Sequence, residues 1–376
     1  MRVMYVVGAR PNFMKVAPVL AAAERWNAAA GRTMRFESVL VHTGQHYDEL
    51  LSGVFFQQLG LPRPDEYLGV GSGTQAVQTA RLLEALEPVV CGHQPDAVLV
   101  PGDVNSTCAA ALVAAKLNVP VIHLEAGLRS GDRTMPEEIN RIVADHLSDL
   151  LLTTCADGDA NLLREGIATD RIVNVGNTMI DSLERLRSSA EHTVGRCRSR
   201  LGIGEGPLVL ATLHRPSNVD EPEQLLRLLE VLGEVSRDMP VVFPVHLRTL
   251  GRLSDLSQWD GDRYPGLHLV EPLSYLDFVG LMSSAAAVLT DSGGVQEETT
   301  YLGVPCVTVR TTTERPVTVV LGTNTLVNPE DPPAIRASVR AAIAAGRVIP
   351  PPRVPLWDGQ AGDRVVEALA RWSSTS

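Results

Sequence analysis

Short runs of β-branched and other apolar residues alternate with helical stretches along almost the whole chain. The first series of runs reads RVMYVVG, ESVLVHTG, DAVLVPGD, VPVIHLEAG and LLLTTC, with helical stretches such as KVAPVLAAAERW and STCAAALVAAKL between them. Strands that alternate with helices predict a parallel sheet whose connections are crossover helices.

The alternation restarts after IVNVGNTMIDSL with PLVLATLHR, PVVFPVH, GLHLVEPL, AAVLTDSGG and VPCVTVRT. We therefore predict two doubly wound α/β domains joined near residues 174–180. A chain of 376 residues that is 44% apolar can bury two ordinary cores. The proline-rich IPPPRVPLW predicts an extended strap before a last helix, AGDRVVEALARW.

Charge and cysteine content exclude several classes of protein. The net charge of −11 argues against nucleic acid or an anionic membrane as the main partner. The sequence contains neither a signal peptide nor an apolar run of membrane-spanning length, so we expect a cytoplasmic protein. Its five cysteines are scattered singly, which predicts reduced thiols in apolar surroundings and disfavours a catalytic cysteine or a zinc site.

Nearly every predicted strand ends in a small, charged or imidazole residue. In an open α/β sheet, ligands bind at these carboxyl ends, and two such domains facing each other would form a cleft. Loops are polar in any case, but seven coinciding positions favour a binding function. These positions are Gly8 with Arg10, residues 43–46, Gly102 with Asp103, residues 125–127, His214 with Arg215, His246, and residues 291–294.

The stretch TDSGGVQEE predicts a phosphate site at the start of a helix. Asp291 or Ser292 can cap the helix, and Gly293 and Gly294 leave bare backbone amides at its positive end. Glu298 lies about 6 Å further along the same helical face, where it could accept hydrogen bonds from a ribose attached to a bound diphosphate. An ordinary capped helix with acidic residues in its first turns is the alternative.

Other sequence features narrow the choice of ligand. Arg315, in TTTERP, offers a planar fork suited to phosphate. No G-x-G-x-x-G follows the first predicted strand and no P-loop sequence occurs, which disfavours a nicotinamide or flavin cofactor.

Three carboxylates are candidates for acid–base chemistry. Asp103 and Glu125 follow two predicted strands, and Glu137 lies in MPEEINR. Close like charges push pKa values apart, so that one carboxyl group can hold a proton near neutrality. No second histidine lies at ligand spacing, so a catalytic metal is disfavoured. For Glu137 an ordinary helix start is a strong alternative.

The chain hardly uses lysine. Of its 33 basic residues only Lys15 and Lys116 are lysines, so arginine has been used almost wherever a cation would serve. Lys15 therefore has a role, we predict, that the broader guanidinium group cannot fill.

Nine ordered motifs together resemble those of the non-hydrolysing UDP-N-acetylglucosamine 2-epimerases. They are GARPNFMKVAPV, TGQHYD, GDVNST, HLEAGLRS, PEEINR, LHRPSNVD, FPVHLRT, DSGGVQEE and TTTERP. The resemblance implies a GT-B-like fold with Rossmann-like domains over residues 1–175 and 176–360, a C-terminal helix over 361–376 that packs back on the first domain, and a homodimer. It also implies reversible conversion of UDP-N-acetylglucosamine to UDP-N-acetylmannosamine without a cofactor.

The same resemblance implies roles for particular residues. The implied catalytic set is Asp103, Glu125, Glu137 and His214. The residues implied to hold UDP are Arg10, Lys15, Ser292, Gly293, Gly294, Glu298 and Arg315, with Phe278 beside the uracil.

Several departures and alternatives remain open at the level of sequence. Many family members have other residues at the positions of Ala9, Asn12, Pro216 and Ser217, and the segment around Gln45 and Asp48 differs from members that are activated by a second substrate molecule. A hydrolysing epimerase is one alternative, although those enzymes usually lack the Pro11 that follows Arg10 here. A GT-B glycosyltransferase and a nucleotide-sugar binder without catalytic activity are the others.

Overall fold

A computed structural model describes residues 1–44, 58–245 and 261–374 of the chain. Four residues named in the sequence analysis lie outside these ranges: Gln45, His46, Asp48 and His246. The chain divides into two compact units, one of Met1–Ser182 with Pro355–Ser376 and the other of Leu183–Val354. The sequence had suggested divisions at 175/176 and 360/361.

The first unit contains a seven-stranded parallel sheet. Its strands are β1 (Arg2–Val7), β2 (Glu37–His42), β3 (Glu66–Tyr67), β4 (Ala97–Pro101), β5 (Val121–Ala126), β6 (Leu150–Thr153) and β7 (Ile172–Asn174). Its helices are α1 (Arg10–Ala28), α2 (Gln75–His93), α3 (Asn105–Lys116), α4 (Pro136–Leu147) and α5 (Ala156–Arg164), followed by α6 (Thr178–Arg200), within which the division falls, and by α13 (Ala361–Ser373) at the end of the chain.

The second unit contains a six-stranded parallel sheet. Its strands are β8 (Val209–Thr212), β9 (Val241–Pro244), β10 (Leu267–Val270), β11 (Ala287–Thr290), β12 (Cys306–Val309) and β13 (Asn324–Val327). The helices among them are α7 (Pro216–Val219), α8 (Pro222–Val235), α9 (Tyr275–Ser284), α10 (Gly293–Leu302), α11 (Val317–Val320) and α12 (Pro332–Ala345).

Both sheets have the strand order of a doubly wound fold. The first runs β3-β2-β1-β4-β5-β6-β7 and the second β10-β9-β8-β11-β12-β13. The predicted fold class, two Rossmann-like α/β domains, is confirmed. In each sheet the order reverses beside the first strand, between β1 and β4 and between β8 and β11, and this switch point is where such folds bind ligands.

All ten strands named from the sequence form, and those that the sequence analysis missed lie at sheet edges. They are β3, which has only two residues, β7 and β13, whereas the fourth edge strand, β10, was predicted. An edge strand has a neighbour on one side only and is partly exposed, so it can lack the continuous apolar run of a central strand, as these three do.

The cores consist of apolar strand residues packed on helix faces. In the first unit Met4, Val6, Val98 and Val100 are fully or almost fully buried against α2 and α3. Among the described residues, no helix combines the length and the apolar character that crossing a membrane requires. The prediction of apolar surroundings for the thiols holds for Cys155, Cys197 and Cys306, which are buried, but is wrong for Cys91, which is exposed.

The segment before α13 lacks regular secondary structure, as the proline-rich sequence predicted. The indole Nε1 of Trp357 donates a hydrogen bond to the carbonyl oxygen of Thr154, 3.0 Å away. Helix α13 packs against α1, and the Asp181 carboxylate accepts hydrogen bonds from the backbone amides of Ala361 and Gly362 at the start of α13. The last helix therefore belongs to the first unit.

Candidate active site

In the first unit, a candidate site forms at the carboxyl ends of the neighbouring parallel strands β1 and β4. Gly102 follows β4 with φ +68°, a left-handed conformation that favours glycine. A Cβ on Gly102 would lie 2.4 Å from the Lys15 ammonium nitrogen, so this position has no room for a side chain. The Lys15 stem comes from the first turns of α1, and Asn12 on the same helix donates to the Pro101 carbonyl oxygen at 2.9 Å. The turn after β4 is thus shaped around one lysine.

Glu125 projects from an irregularity in β5. The register between β5 and β6 shifts between Leu124 and Ala126, and Glu125 between them has φ +73°. A left-handed glutamate costs about 1–3 kcal/mol of backbone strain, and such strain clusters at functional sites. The bulge re-aims the side chain, whose Oε1 lies 2.9 Å from Lys15 Nζ. Glu125 and Lys15 are only 3% and 5% exposed.

Asp103 is held by α4. The Arg141 guanidinium, 2% exposed, donates to Asp103 Oδ2 from Nη2 at 2.6 Å and from Nε at 3.0 Å. Asn140 donates to the Asp103 carbonyl oxygen at 2.9 Å. A third guanidinium nitrogen, Arg141 Nη1, donates to Glu138 Oε2 at 2.7 Å. Arg141 therefore bridges two carboxylates, Asp103 and Glu138.

The two adjacent acids of PEEINR have different environments. Glu138 is buried and accepts hydrogen bonds from the backbone amides of Ser130 and Gly131. Glu137, which the sequence analysis proposed as a catalytic group, lies in the first turn of α4 and is exposed. Glu138 ties the loop after β5 to α4, and Glu137 is left facing outward.

A buried charge network lies beneath these carboxylates. His123, on β5, lies 2.6 Å from Asp145 Oδ1 through Nδ1 and 2.7 Å from the Gly102 carbonyl oxygen through Nε2. Burial alone would raise the pKa of Asp145, but the charges and hydrogen bonds of His123 and Arg129 lower it below its usual value. The network ties the Gly102 turn to β5.

Arg10, predicted to bind UDP, is the first residue of α1 and is exposed. It follows β1 directly, at the carboxyl edge of the sheet that also carries Gly102 and Glu125. The first unit thus contains Arg10, Lys15, Asp103, Glu125 and Glu137 of the predicted site, with Lys15 joined to Glu125.

In the second unit, His214 is held by Asp291 across the β8–β11 switch point. Asp291 Oδ1 lies 2.9 Å from His214 Nδ1, and the imidazole side chain is 58% exposed. The buried carboxylate also accepts from the backbone amides of His214 and Arg215 and from Asn218. Burial would raise the pKa of Asp291, but the hydrogen bond and charge of His214, with the other donors, lower it. This arrangement leaves Nε2 of His214 as the outward nitrogen.

The helix-capping prediction for Asp291 and Ser292 is wrong. Ser292 occupies the N-cap position of α10 without a side-chain cap hydrogen bond, and the Asp291 carboxylate is committed to the loop after β8. The parallel pairing of β8 with β11 places the His214 and Arg215 amides 3.1 and 2.9 Å from the Asp291 carboxylate oxygens. Gly293 and Gly294, both half-buried, still open α10.

Arg315 lies against the start of α10. A Cβ on Gly293 would be 2.3 Å from Arg315 Nη1, so only glycine allows the guanidinium this close to the helix. The predicted phosphate fork is already engaged, with Nη1 2.7 Å from Glu314 Oε1 and Nε 2.8 Å from Glu297 Oε1. Glu314 also pairs with Arg310 at 2.7 Å. The result is a buried cluster of alternating charges beneath the helix terminus.

Glu298 pairs with a tyrosine on α9. The Tyr275 hydroxyl donates to Glu298 Oε1 at 2.6 Å. Burial, aided by the charge of Glu297 and opposed by the Tyr275 hydrogen bond, raises the pKa of Glu298 to about 7. Phe278, predicted to lie beside uracil, is half-buried and one turn further along α9, which packs against α10.

Sequence reasoning missed the partners that hold the candidate residues. Arg141, Tyr275 and Glu314 each bind a predicted site residue and were not predicted to do so, and Glu138 in turn binds Arg141. Arg141 and Glu138 lie in PEEINR and Glu314 lies in TTTERP, both singled out above, and Tyr275 lies three residues before Phe278. A charged or phenolic residue inside a motif was the available signal, but no spacing rule connects it to a partner in another element.

The arrangement can be compared with known proteins. The family model described as UDP-N-acetylglucosamine 2-epimerase matches residues 28–370. The chain belongs to the UDP-N-acetylglucosamine 2-epimerase family. The resemblance inferred from the nine motifs is confirmed at the level of this family.

Members of this family match the chain over nearly its full length. The UDP-N-acetylglucosamine 2-epimerase of Methanocaldococcus jannaschii is 39% identical over 373 residues, covering 98% of this chain and 99% of the relative. The UDP-2,3-diacetamido-2,3-dideoxy-D-glucuronate 2-epimerase of Pseudomonas aeruginosa is 39% identical over 378 residues, covering 99% and 100%. The crystal structure of the M. jannaschii epimerase in complex with UDP-GlcNAc and UDP has a TM-score of 0.88 at 38% identity, covering 99% of this chain and 100% of that chain.

Proposed function

We propose that this protein is a non-hydrolysing epimerase that interconverts UDP-N-acetylglucosamine and UDP-N-acetylmannosamine at C2. The observation that carries the proposal is the set of strand-end carboxylates with their own buried cations, Asp103 with Arg141 and Glu125 with Lys15. These ion pairs fix the direction of each carboxylate, as a group positioned for proton transfer at a carbon atom requires. The Pro11 that follows Arg10 supports the non-hydrolysing type over the hydrolysing one.

The chemistry explains why carboxylates and anion-binding groups are needed together. The C2 proton of the intact sugar is not next to a carbonyl group, so no side-chain base can remove it. Breaking the C1–O bond to UDP creates an oxocarbenium-like centre that acidifies the neighbouring C2–H. A carboxylate takes the proton, and anti elimination gives 2-acetamidoglucal with UDP still bound. Reprotonation on the opposite face and return of UDP give the epimer.

We assign the leaving diphosphate to the amides of Gly293 and Gly294 with Ser292, Arg10 and Arg315. Helix amides and guanidinium groups stabilise negative charge as it develops on a leaving group. The ribose is assigned to Glu298 and the uracil to Phe278, which lie on the adjoining helices α10 and α9. Asp103, Glu125, Glu137 and His214 form the proposed catalytic set.

Solvent isotope incorporation tests the mechanism. We expect product and recovered substrate both to gain deuterium at C2 in D2O, because the abstracted proton exchanges while the glycal is bound. Proton NMR of UDP-N-acetylglucosamine incubated with the enzyme alone measures this directly. Release of UDP with free N-acetylmannosamine would identify a hydrolysing enzyme, and full retention of the original hydrogen would eliminate the glycal route.

The sugar specificity is tested in the same assay. The Pseudomonas relative, as similar to this chain as the Methanocaldococcus relative, is a 2-epimerase of a UDP-diacetamido-glucuronate. We expect turnover of UDP-N-acetylglucosamine to exceed turnover of that uronate. The reverse preference would replace the proposed substrate while leaving C2 epimerisation in place.

The raised pKa of Glu298 predicts that UDP affinity depends on pH. Only the ionised carboxylate accepts from ribose hydroxyls with both oxygens, and with a pKa of about 7 its ionised fraction rises between pH 6 and 8. The dissociation constant should therefore fall about tenfold over this range, since apparent affinity follows the competent fraction. Calorimetry at several pH values measures the dissociation constant of UDP for wild type and for Glu298→Gln. The titration of UDP itself affects both proteins equally, so the difference between them reports on Glu298. An equal pH dependence in both proteins would contradict the ribose assignment.

The same carboxyl group should make the free energy of unfolding decrease as pH rises, whereas UDP affinity increases with pH. The folded-state pKa of Glu298 is raised above the ordinary 4.5 to about 7, so the folded protein binds this proton more tightly than the unfolded chain. The stability that this bound proton contributes is therefore lost as pH rises from about 4.5 through about 7. Glu298→Gln should be less sensitive to pH over that range in urea unfolding.

The homodimer and the cytoplasmic location stay predictions of the sequence. Sedimentation equilibrium of the full chain tests the homodimer.

A further inference from the structure

The Lys15 ammonium group is enclosed in the first unit by a carboxylate and a glycine. Nζ lies 2.9 Å from Glu125 Oε1, and both side chains are almost completely buried. On another side it lies so close to Gly102 that a Cβ there would be 2.4 Å away. The glycine conformation of the turn, the bulge at Glu125 and the helical position of Lys15 all converge on this one ion pair.

We propose that Lys15 is a positioning residue that acts through Glu125, instead of a direct ligand of the diphosphate. The bulge fixes the direction in which the Glu125 side chain leaves the backbone, and the ammonium fixes its far end. A carboxylate buried without a cation takes up a proton and can then no longer accept one. Lys15 thus supplies Glu125 with both its charge and its orientation.

The enclosure also explains why this position has lysine in a chain that otherwise uses arginine. An ammonium is a compact point charge on a flexible stem, whereas a guanidinium is a broad plane. Even the smaller ammonium group lies so close to the turn that a Cβ at residue 102 would be 2.4 Å from it. A guanidinium would have to displace the turn that precedes Asp103.

The inference rests on the proposed epimerisation, because it assigns a role within that reaction. The test is a double-mutant cycle of Lys15→Met and Glu125→Gln, with kcat measured by NMR and the dissociation constant of UDP measured by calorimetry. Lys15→Arg keeps the charge, and Lys116→Met is the matched control, because Lys116 is the exposed last residue of α3. Far-UV circular dichroism verifies folding of each variant.

We expect Lys15→Met to lower kcat about 100-fold and Lys15→Arg to lower kcat/KM at least about tenfold, with UDP affinity unchanged within about twofold. Lys116→Met should retain wild-type turnover. If Lys15 acts through Glu125, adding Lys15→Met to Glu125→Gln should cost no more than about threefold further. The double variant removes both buried charges, so this comparison is available even if Lys15→Met alone fails to fold.

Two results would overturn the inference while wild type remains active. One is a tenfold or larger loss of UDP affinity in Lys15→Met, which would make Lys15 a diphosphate ligand. The other is full additivity in the cycle, which would mean that Lys15 acts independently of Glu125. If wild type itself does not epimerise the substrate, the proposed function fails instead.

Discussion

Glu125→Gln is expected to lower kcat for epimerisation by about 100- to 10,000-fold, the range that a positioned acid–base group contributes. The amide keeps the size of the side chain and can still accept a hydrogen bond from Lys15 through its oxygen. It cannot accept the C2 proton. The variant leaves the buried Lys15 ammonium without its carboxylate, so we expect a lower urea midpoint, while UDP affinity should stay within about twofold of wild type.

The measurement is kcat by NMR beside UDP affinity by calorimetry. Glu87→Gln, on the exposed face of α2, makes the same chemical change away from the site and should retain full turnover. Deuterium exchange at C2 should fall in parallel with epimerisation. A Glu125→Gln enzyme that retains a third or more of the wild-type kcat would remove Glu125 from the catalytic set.

Arg141→Met should damage both stability and catalysis. The guanidinium is 2% exposed and bonds Asp103 and Glu138 together. Removing one partner of a buried ion pair leaves uncompensated charge and typically costs about 3–5 kcal/mol. The side chain of Asp103 also loses the two hydrogen bonds that set its direction. We therefore expect a clear fall in the urea midpoint and a loss of turnover larger than any change in UDP affinity.

Two comparisons separate the causes. Arg81→Met, on an exposed face of α2, should shift the urea midpoint little, since exposed charges contribute about 0–1 kcal/mol. Arg141→Lys keeps the charge but loses the fork, so it should recover part of the stability and little of the activity. An Arg141→Met protein as stable as wild type would show that Asp103 and Glu138 do not depend on this cation.

Several predicted site residues have contacts in the structure that differ from those expected from the sequence. Asp291 was expected to cap a helix and instead orients His214. Arg315 was expected to present an open fork and is paired with Glu297 and Glu314. Asp103 and Glu125 were expected to perturb each other as like charges, yet Glu125 pairs with Lys15, and Asp103 pairs with Arg141, which it shares with Glu138. In every case the residue type was chosen correctly for a polar site, and its partner was not foreseen.

What the sequence determined by itself was the class of fold, the ten strands with continuous apolar runs, the family and the positions of the candidate residues. These properties depend on periodicity and on motifs within a few residues, which a linear pattern records. The edge strands β3, β7 and β13 were not predicted, because they are short and lack a continuous apolar run. Only the tertiary structure decided the ion pairs. Lys15 and Glu125 are 110 positions apart and Asp103 and Arg141 are 38 apart, and parallel strand order brings them together. Whether a buried charge is neutralised depends on distances of a few ångströms between elements, which no local pattern specifies.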